Sequence, residues 1–135
     1  MGLYNFQKRF APFVLDGSKR HTIRAKRKHP TKVGDAVHLY TGLRTKQAKL
    51  LLRSICIRVE EIRISEDRHV FVDFEMLSAD EKNALAYCDG FRSHGINRAF
   101  EQMMKFWEGR LPFVGDIIHW QRLAPTRTPA RPPER

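Results

Sequence analysis

Cysteine is scarce in this chain of 135 residues. The two present, Cys56 and Cys88, lie 32 positions apart with no Cys-x-x-Cys spacing, which excludes a disulfide framework and a cysteine-built zinc site. Long apolar runs are missing too. The longest, around Leu50-Leu51-Leu52, stops at Arg53 and falls far short of the ~20 residues of a membrane span. The N-terminal stretch MGLYNFQKRF lacks the apolar core of a signal peptide, and Phe6 stands where a myristoylation motif wants Ser or Thr. These absences lead to the expectation of a reduced, cytoplasmic protein with no membrane partner. Acid is scarce in one place only. Residues 17–58 hold twelve Lys/Arg and a single acid, Asp35, while the rest of the chain, with thirteen basic and fourteen acidic residues, is close to neutral.

That basic third accounts for the whole formal charge of +10. A concentrated cationic segment suits a polyanion, since each neutralised phosphate releases condensed counterions. Arg20, Arg24, Lys26, Arg27 and Lys28 are therefore expected at a nucleic-acid or nucleotide surface. With 41% hydrophobic and 30% charged residues the chain reads as globular, and at this length one domain buries roughly two-thirds of its unfolded surface without a metal or disulfide staple.

Residues 124–135, APTRTPARPPER, contain four prolines and three arginines and no large apolar side chain, so they are read as a disordered tail. The folded unit is then expected over 3–123. Tyr4–Phe6 suggests an entry strand. Phe10, Phe13 and Val14 follow helical spacing, with Pro12 in the first turn and Gly17 as the stop. Arg20–Ala25 reads as a strand in which Arg20, Thr22 and Arg24 share a face. Two segments, starting at Val33 and at Val114, share Val-Gly-Asp-x-[Val/Ile]-His, and each is expected to be a Gly-Asp turn leading into a buried strand. Ala48–Ser65 predicts one long strand or two separated by a bend, and the alternation of His69–Met76 predicts another, with Val70, Val72 and Phe74 on one face. Ser78-Ala79-Asp80-Glu81 is a capping box opening a helix to about Tyr87. A second helix is expected over Gly95–Glu108, burying Ile96, Phe100, Met103, Met104 and Trp107, before a final strand. Consecutive strands with the helices to one side predict an α+β fold built on a small barrel of about five to six strands with peripheral helices.

The octapeptide Gly17-Ser18-Lys19-Arg20-His21-Thr22-Ile23-Arg24 is the most informative stretch. It presents a lysine, a threonine and two arginines within six residues. Crowded cations lower the lysine pKa, which would let Lys19 take the proton of the Thr22 hydroxyl and turn it into a nucleophile. Lys19 serves equally as a point charge for a phosphate.

Gly-x-Lys-x-x-Thr-Ile-Arg after a short helix, followed by Val33–Lys46 (VGDAVHLYTGLRTK), resembles the activating signal cointegrator homology (ASCH) family. The likeness extends over residues 3–123 and includes the late Gly-Asp-x-x-His-Trp strand. It implies a PUA-like barrel with a cleft for RNA or a nucleoside or nucleotide. It also implies one of two roles: a non-catalytic RNA-binding module, or a hydrolase acting on RNA or on a modified nucleoside. The amidohydrolases of N(4)-acetylcytidine in this family use the Lys and Thr of this motif, here Lys19 and Thr22, with a later glutamate. This chain departs from the pattern there, and the resemblance points to Asp89, with Glu81 as its rival. For ribonuclease members, Tyr40, Arg44 and Lys46 are the corresponding candidates around a scissile phosphate. The resemblance implies no cofactor.

The six histidines show no His-Glu-x-x-His pattern, so no metal site is expected. His38 and His119, at matching places in the two related segments, are expected to make structural hydrogen bonds. Tyr40 and Trp120 are each read either as a stacking platform for a base or as core.

Overall fold

The computed structural model of the chain describes residues 2–121, so the tail expected from Ala124 lies outside the described residues. The first strand, β1 (Gly2–Phe6), alternates buried and exposed side chains and runs parallel to β3 (Ala36–Thr41), with Tyr4 opposite Leu39. β3 pairs antiparallel with the N-terminal half of β4 (Lys49–Ile64), a single strand of 16 residues. Two register shifts, at Leu39/Tyr40 in the β3 pairing and at Cys56/Arg58 in the β7 pairing, mark irregularities that bend and twist a strand. Beyond Cys56, β4 pairs with the last strand, β7 (Phe113–Trp120), and β7 pairs in turn with β2 (His21–Ala25). The result is an α+β fold with a curled mixed sheet forming a half-barrel. Its outer strands β1 and β2 meet through the Arg24 side chain, whose Nη2 donates to the Asn5 main-chain carbonyl at 2.6 Å.

Among the described residues there are seven strands where five to six were expected. The extra one arises because His69–Met76 is a hairpin, β5 (Val70–Val72) and β6 (Glu75–Met76), with Asp73 and Phe74 at φ of 48° and 70°. Asp73 makes the fold-back possible. Its amide donates to the Glu61 carbonyl and its carboxylate accepts from the Glu61 amide, both at 2.9 Å. Phe74, expected to share a face with Val70 and Val72, is exposed at the tip while Val70 is buried.

The two Val-Gly-Asp segments differ. Gly34, at φ 95°, makes the expected turn, with Asp35 capping the Lys32 amide. Gly115 and Asp116 lie inside β7 and form no turn. A Cβ on Gly115 would stand 2.3 Å from the Arg24 carbonyl oxygen, so the glycine is dictated by the close approach of β2.

Helix α1 (Ala11–Leu15) follows a 3-10 turn at Lys8–Phe10, carries Pro12 in its first turn and stops at Gly17, whose φ is 82°. Helix α2 (Ala79–Cys88) opens on the expected capping box, Ser78 and Glu81 each accepting from the other's amide. Helix α3 is shorter than predicted, Ala99–Phe106, after a 3-10 turn at Ile96–Arg98. Ile96 therefore sits ahead of the amphipathic face and is exposed, whereas Met103, Met104 and Trp107 are buried. Trp120 is core, edge-on to Phe6 with ring centroids 6.0 Å apart. No helix among the described residues is long and apolar enough to cross a membrane.

The tight β2–β7 approach yields a stability prediction. Gly115→Ala should destabilise the fold by about 1–3 kcal/mol, as overpacking does where the obstacle is backbone. Urea unfolding of the variant measures this, and an unchanged midpoint would show that the two strands separate at no cost.

Candidate functional site

Gly17 turns the chain at the end of α1, and the Lys19 amide then donates to the Phe13 carbonyl at 2.9 Å, fixing the lysine just ahead of β2. Its side chain is 3% exposed. The ammonium donates to Asp89 twice, to Oδ1 at 2.6 Å and to the main-chain carbonyl at 2.7 Å. Asp89 is the C-cap of α2, and Gly90 follows at φ 114°, where a Cβ would collide with the Phe10 ring at 2.6 Å. Only glycine allows the chain to leave α2 against that ring with Asp89 turned toward Lys19. His21 Nε2 lies 3.1 Å from the same carboxylate oxygen, outside hydrogen-bond geometry.

Burial is the strongest influence on Lys19 and pushes its pKa down. Asp89 pulls it back up, Arg24 adds to the lowering, and the net value lies below that of an ordinary lysine. For Asp89 burial again comes first and favours the neutral acid, yet Lys19 and His21 outweigh it and hold the carboxyl below its usual range. Beyond His21 the buried polar row continues. The His21 and His119 rings are 5.6 Å apart, and His119 Nε2 is 2.6 Å from Glu60. Burial pushes His119 down despite Glu60. His119 thus makes the structural hydrogen bond expected of it.

Thr22, also buried, belongs to the neighbouring face of β2 together with Arg24. Arg24 Nε donates to Thr22 Oγ1 at 2.8 Å, and its guanidinium lies over the Phe6 ring, 5.0 Å from the centroid. The Thr22 oxygen therefore serves as an acceptor and its own proton is free to be donated elsewhere. Lys19, Thr22, Arg24, Asp89 and Arg110 line one cavity of about 470 Å³. Six aromatic residues, Phe6, Phe10, Phe91, Phe106, Trp107 and Phe113, form most of the remaining wall, with Asn5, Gln7, Ile23 and Ala25. A planar ligand with a polar edge finds ring faces for its body and convergent donors for that edge.

Of the residues singled out from sequence, Lys19, Thr22, Arg24 and Asp89 come together here. The others do not line this cavity. Arg20 precedes β2 and is exposed. Lys26 is tied to Asp116 at 2.9 Å and Glu61 at 3.4 Å, and those acids consume its charge. Arg27 lies on the Tyr4 ring, 4.0 Å from its centroid, and donates to the Leu3 carbonyl, while Lys28 is exposed. Tyr40 is half-buried on β3. Arg44 and Lys46 occupy the loop from Gly42 to Ala48, which is anchored near the cavity by the Leu43 amide donating to Asn5 Oδ1 at 2.8 Å. Glu81 serves the capping box, so it is Asp89 that meets Lys19. Sequence reading missed Arg110 and the aromatic wall. Phe106 and Trp107 read as helix core, and only the stop at Gly109 hinted that Arg110 would turn back over them, 4.8 Å and 5.8 Å from their centroids. Among the described residues no three His, Cys, Asp or Glu side chains gather into a group able to hold a metal ion.

Comparison of the chain with protein-family models, with curated proteins and with solved structures found no match to any of them.

The Lys19–Asp89 pair predicts both a mutational and a pH effect. Removing one partner of a buried pair leaves the other uncompensated, so Asp89→Asn should cost about 3–5 kcal/mol at neutral pH. Because the folded carboxyl titrates below its unfolded value, its stabilisation is full above the unfolded pKa and is lost as pH falls below about 4. Urea unfolding across that range should show a steeper acid loss in the wild type than in Asp89→Asn. Equal profiles would mean that the pair contributes nothing.

Proposed function

We propose that the protein binds a ribonucleoside, free or within an RNA strand, in the Lys19–Asp89 cavity, as an ASCH-type domain on a PUA-like barrel. The observation that carries this reading is the convergence of Lys19, Thr22, Arg24 and Asp89, the last 70 positions away from the lysine, on a cavity walled by six aromatic rings. A nucleobase has a π-face that stacks on such rings and a Watson–Crick edge of donors and acceptors. The volume falls within the range of small-ligand pockets. Three cations against one carboxylate favour a ligand that carries phosphate.

A second reading, hydrolysis, is favoured by one observation. A lysine whose pKa lies below the ordinary value stands in the same cavity as a threonine hydroxyl. With an acylated cytidine, the Thr22 oxygen would attack the acyl carbon while its proton passes to Lys19, a step that requires Lys19 to react as the free amine rather than as the ammonium paired with Asp89. That proton then leaves on the departing exocyclic amine, and water hydrolyses the acyl-threonine ester. Lys19 hydrogen-bonds Asp89 rather than Thr22, so binding is the primary conclusion.

Calorimetry with cytidine and N(4)-acetylcytidine, with mass spectrometry of the products, tests both readings. Lys19→Ala should abolish binding, and Thr22→Ala should cost about 0.5–1.5 kcal/mol of affinity, one hydrogen bond. Acetate release by the wild type that vanishes in Thr22→Ala and in Lys19→Arg establishes the hydrolase, because arginine cannot act as a base. Binding without release leaves a recognition module, and a wild type that binds neither ligand refutes the proposal.

A further inference from the structure

We propose that the cleft beside the nucleoside cavity is a second subsite, which holds the adjoining nucleotide of a single-stranded RNA. The substrate class is then an oligoribonucleotide rather than a free nucleoside. This inference rests on the nucleoside reading of the main cavity.

The cleft, about 660 Å³ in volume, is lined by Arg9, Arg92 and Lys105 and by no carboxylate. It shares the Phe91 and Phe106 rings with the main cavity, so the two spaces lie on either side of one aromatic partition, its rings 5.7 Å apart and edge-on. Four cations elsewhere on the molecule, Lys26, Arg58, Arg63 and Arg98, each hold a carboxylate. Among the described residues, none of Arg9, Arg92 and Lys105 takes part in such a salt bridge.

Two of the three are also held in place by aromatic faces. The Arg9 guanidinium lies over Phe10, Phe91 and Phe106, 4.7–5.5 Å from their centroids. Arg92 lies over Tyr87 at 4.4 Å and Phe13 at 5.1 Å, with its Nε donating to the Tyr87 carbonyl. A guanidinium fixed flat on a ring keeps its outward fork for a phosphate and offers a plane on which a base can stack. Taken together, the two cavities present six cations and one carboxylate, and that carboxylate is already bonded to Lys19. A single nucleotide cannot neutralise such a field, whereas successive phosphates crossing the Phe91/Phe106 partition would. An acidic peptide matches the charge but makes no use of the ring faces.

Fluorescence anisotropy with labelled hexacytidylate and calorimetry with cytidine monophosphate test the proposal. The wild type should bind the hexamer at least 10-fold more tightly than the monophosphate. Arg92→Gln/Lys105→Gln should remove that excess, leave monophosphate affinity within 2-fold, and flatten the salt dependence of hexamer binding by about 1.4 in log–log slope, two phosphates at roughly 0.7 each. Lys105→Gln alone changes one exposed side chain, keeps the fold and should flatten the slope by about half as much. Hexamer affinity and slope unchanged in both variants, with the monophosphate still bound, would overturn the subsite and leave the nucleoside reading intact. A wild type that binds no monophosphate would overturn both. Hexaglutamate binding as tightly as the hexamer, and lost in the same variants, would assign the cleft to acidic peptides instead.

Discussion

A lysine ammonium enclosed between a carboxylate oxygen and the main-chain carbonyl of the same aspartate joins the start of β2 to the end of α2, and the site is arranged around that contact. Taking both charges out of water costs several kcal/mol per ion before their attraction is counted, so the geometry must be good on every side. Gly17 sets the entry of Lys19, Gly90 lets the chain leave α2 against Phe10, and the Phe6 and Phe10 rings cover the ammonium at 5.7 and 5.4 Å. The half-barrel supplies β2, Phe6 and Phe113, the helices and the turns flanking them supply Asp89 and the other four rings, and neither layer contains a complete site.

What sequence revealed and what it hid divide along the line between local and distant causes. Gly17 through Arg24 was legible because a glycine-stopped helix, a turn and a strand are local events, and Lys19, Thr22 and Arg24 indeed share the cavity. The capping box at Ser78 and the stop at Gly17 are local in the same sense. Asp89 had no local signature beyond a helix end, and only the family resemblance singled it out. The run Lys26-Arg27-Lys28 looked like the clearest anion-binding feature. The charges of Lys26 and Arg27, however, meet Asp116, Glu61 and the Tyr4 ring, partners from three other strands that the sequence does not place beside them. Conversely Arg9, Arg92 and Lys105 are scattered along the chain and become a cluster only when the Lys8–Phe10 turn, α3 and the Gly90–Gly95 loop are packed together. Gly115 misled in the same way, since the turn signature fits it and the Arg24 carbonyl of a neighbouring strand is its actual cause.

In the proposed function the same contact serves both stability and recognition. A lysine that is buried yet lines a cavity keeps a strong donor at the edge of an aromatic slot, where a ligand meets it already desolvated. Asp89 holds that donor in place, and the row through His21, His119 and Glu60 continues behind it. The proposed recognition therefore rests on a pair that an apolar substitution of matching volume could replace at little cost to the fold.

A double-mutant cycle on Lys19→Met and Asp89→Leu, read by urea unfolding at neutral pH, tests that claim most directly. Each single variant strands a buried charge, while the double variant strands none. The account predicts a double variant more stable than either single one, with a coupling free energy of at least about 2 kcal/mol, toward the upper end for residues in contact. Purely additive losses would contradict it, since Lys19 and Asp89 would then stand in the fold independently of each other.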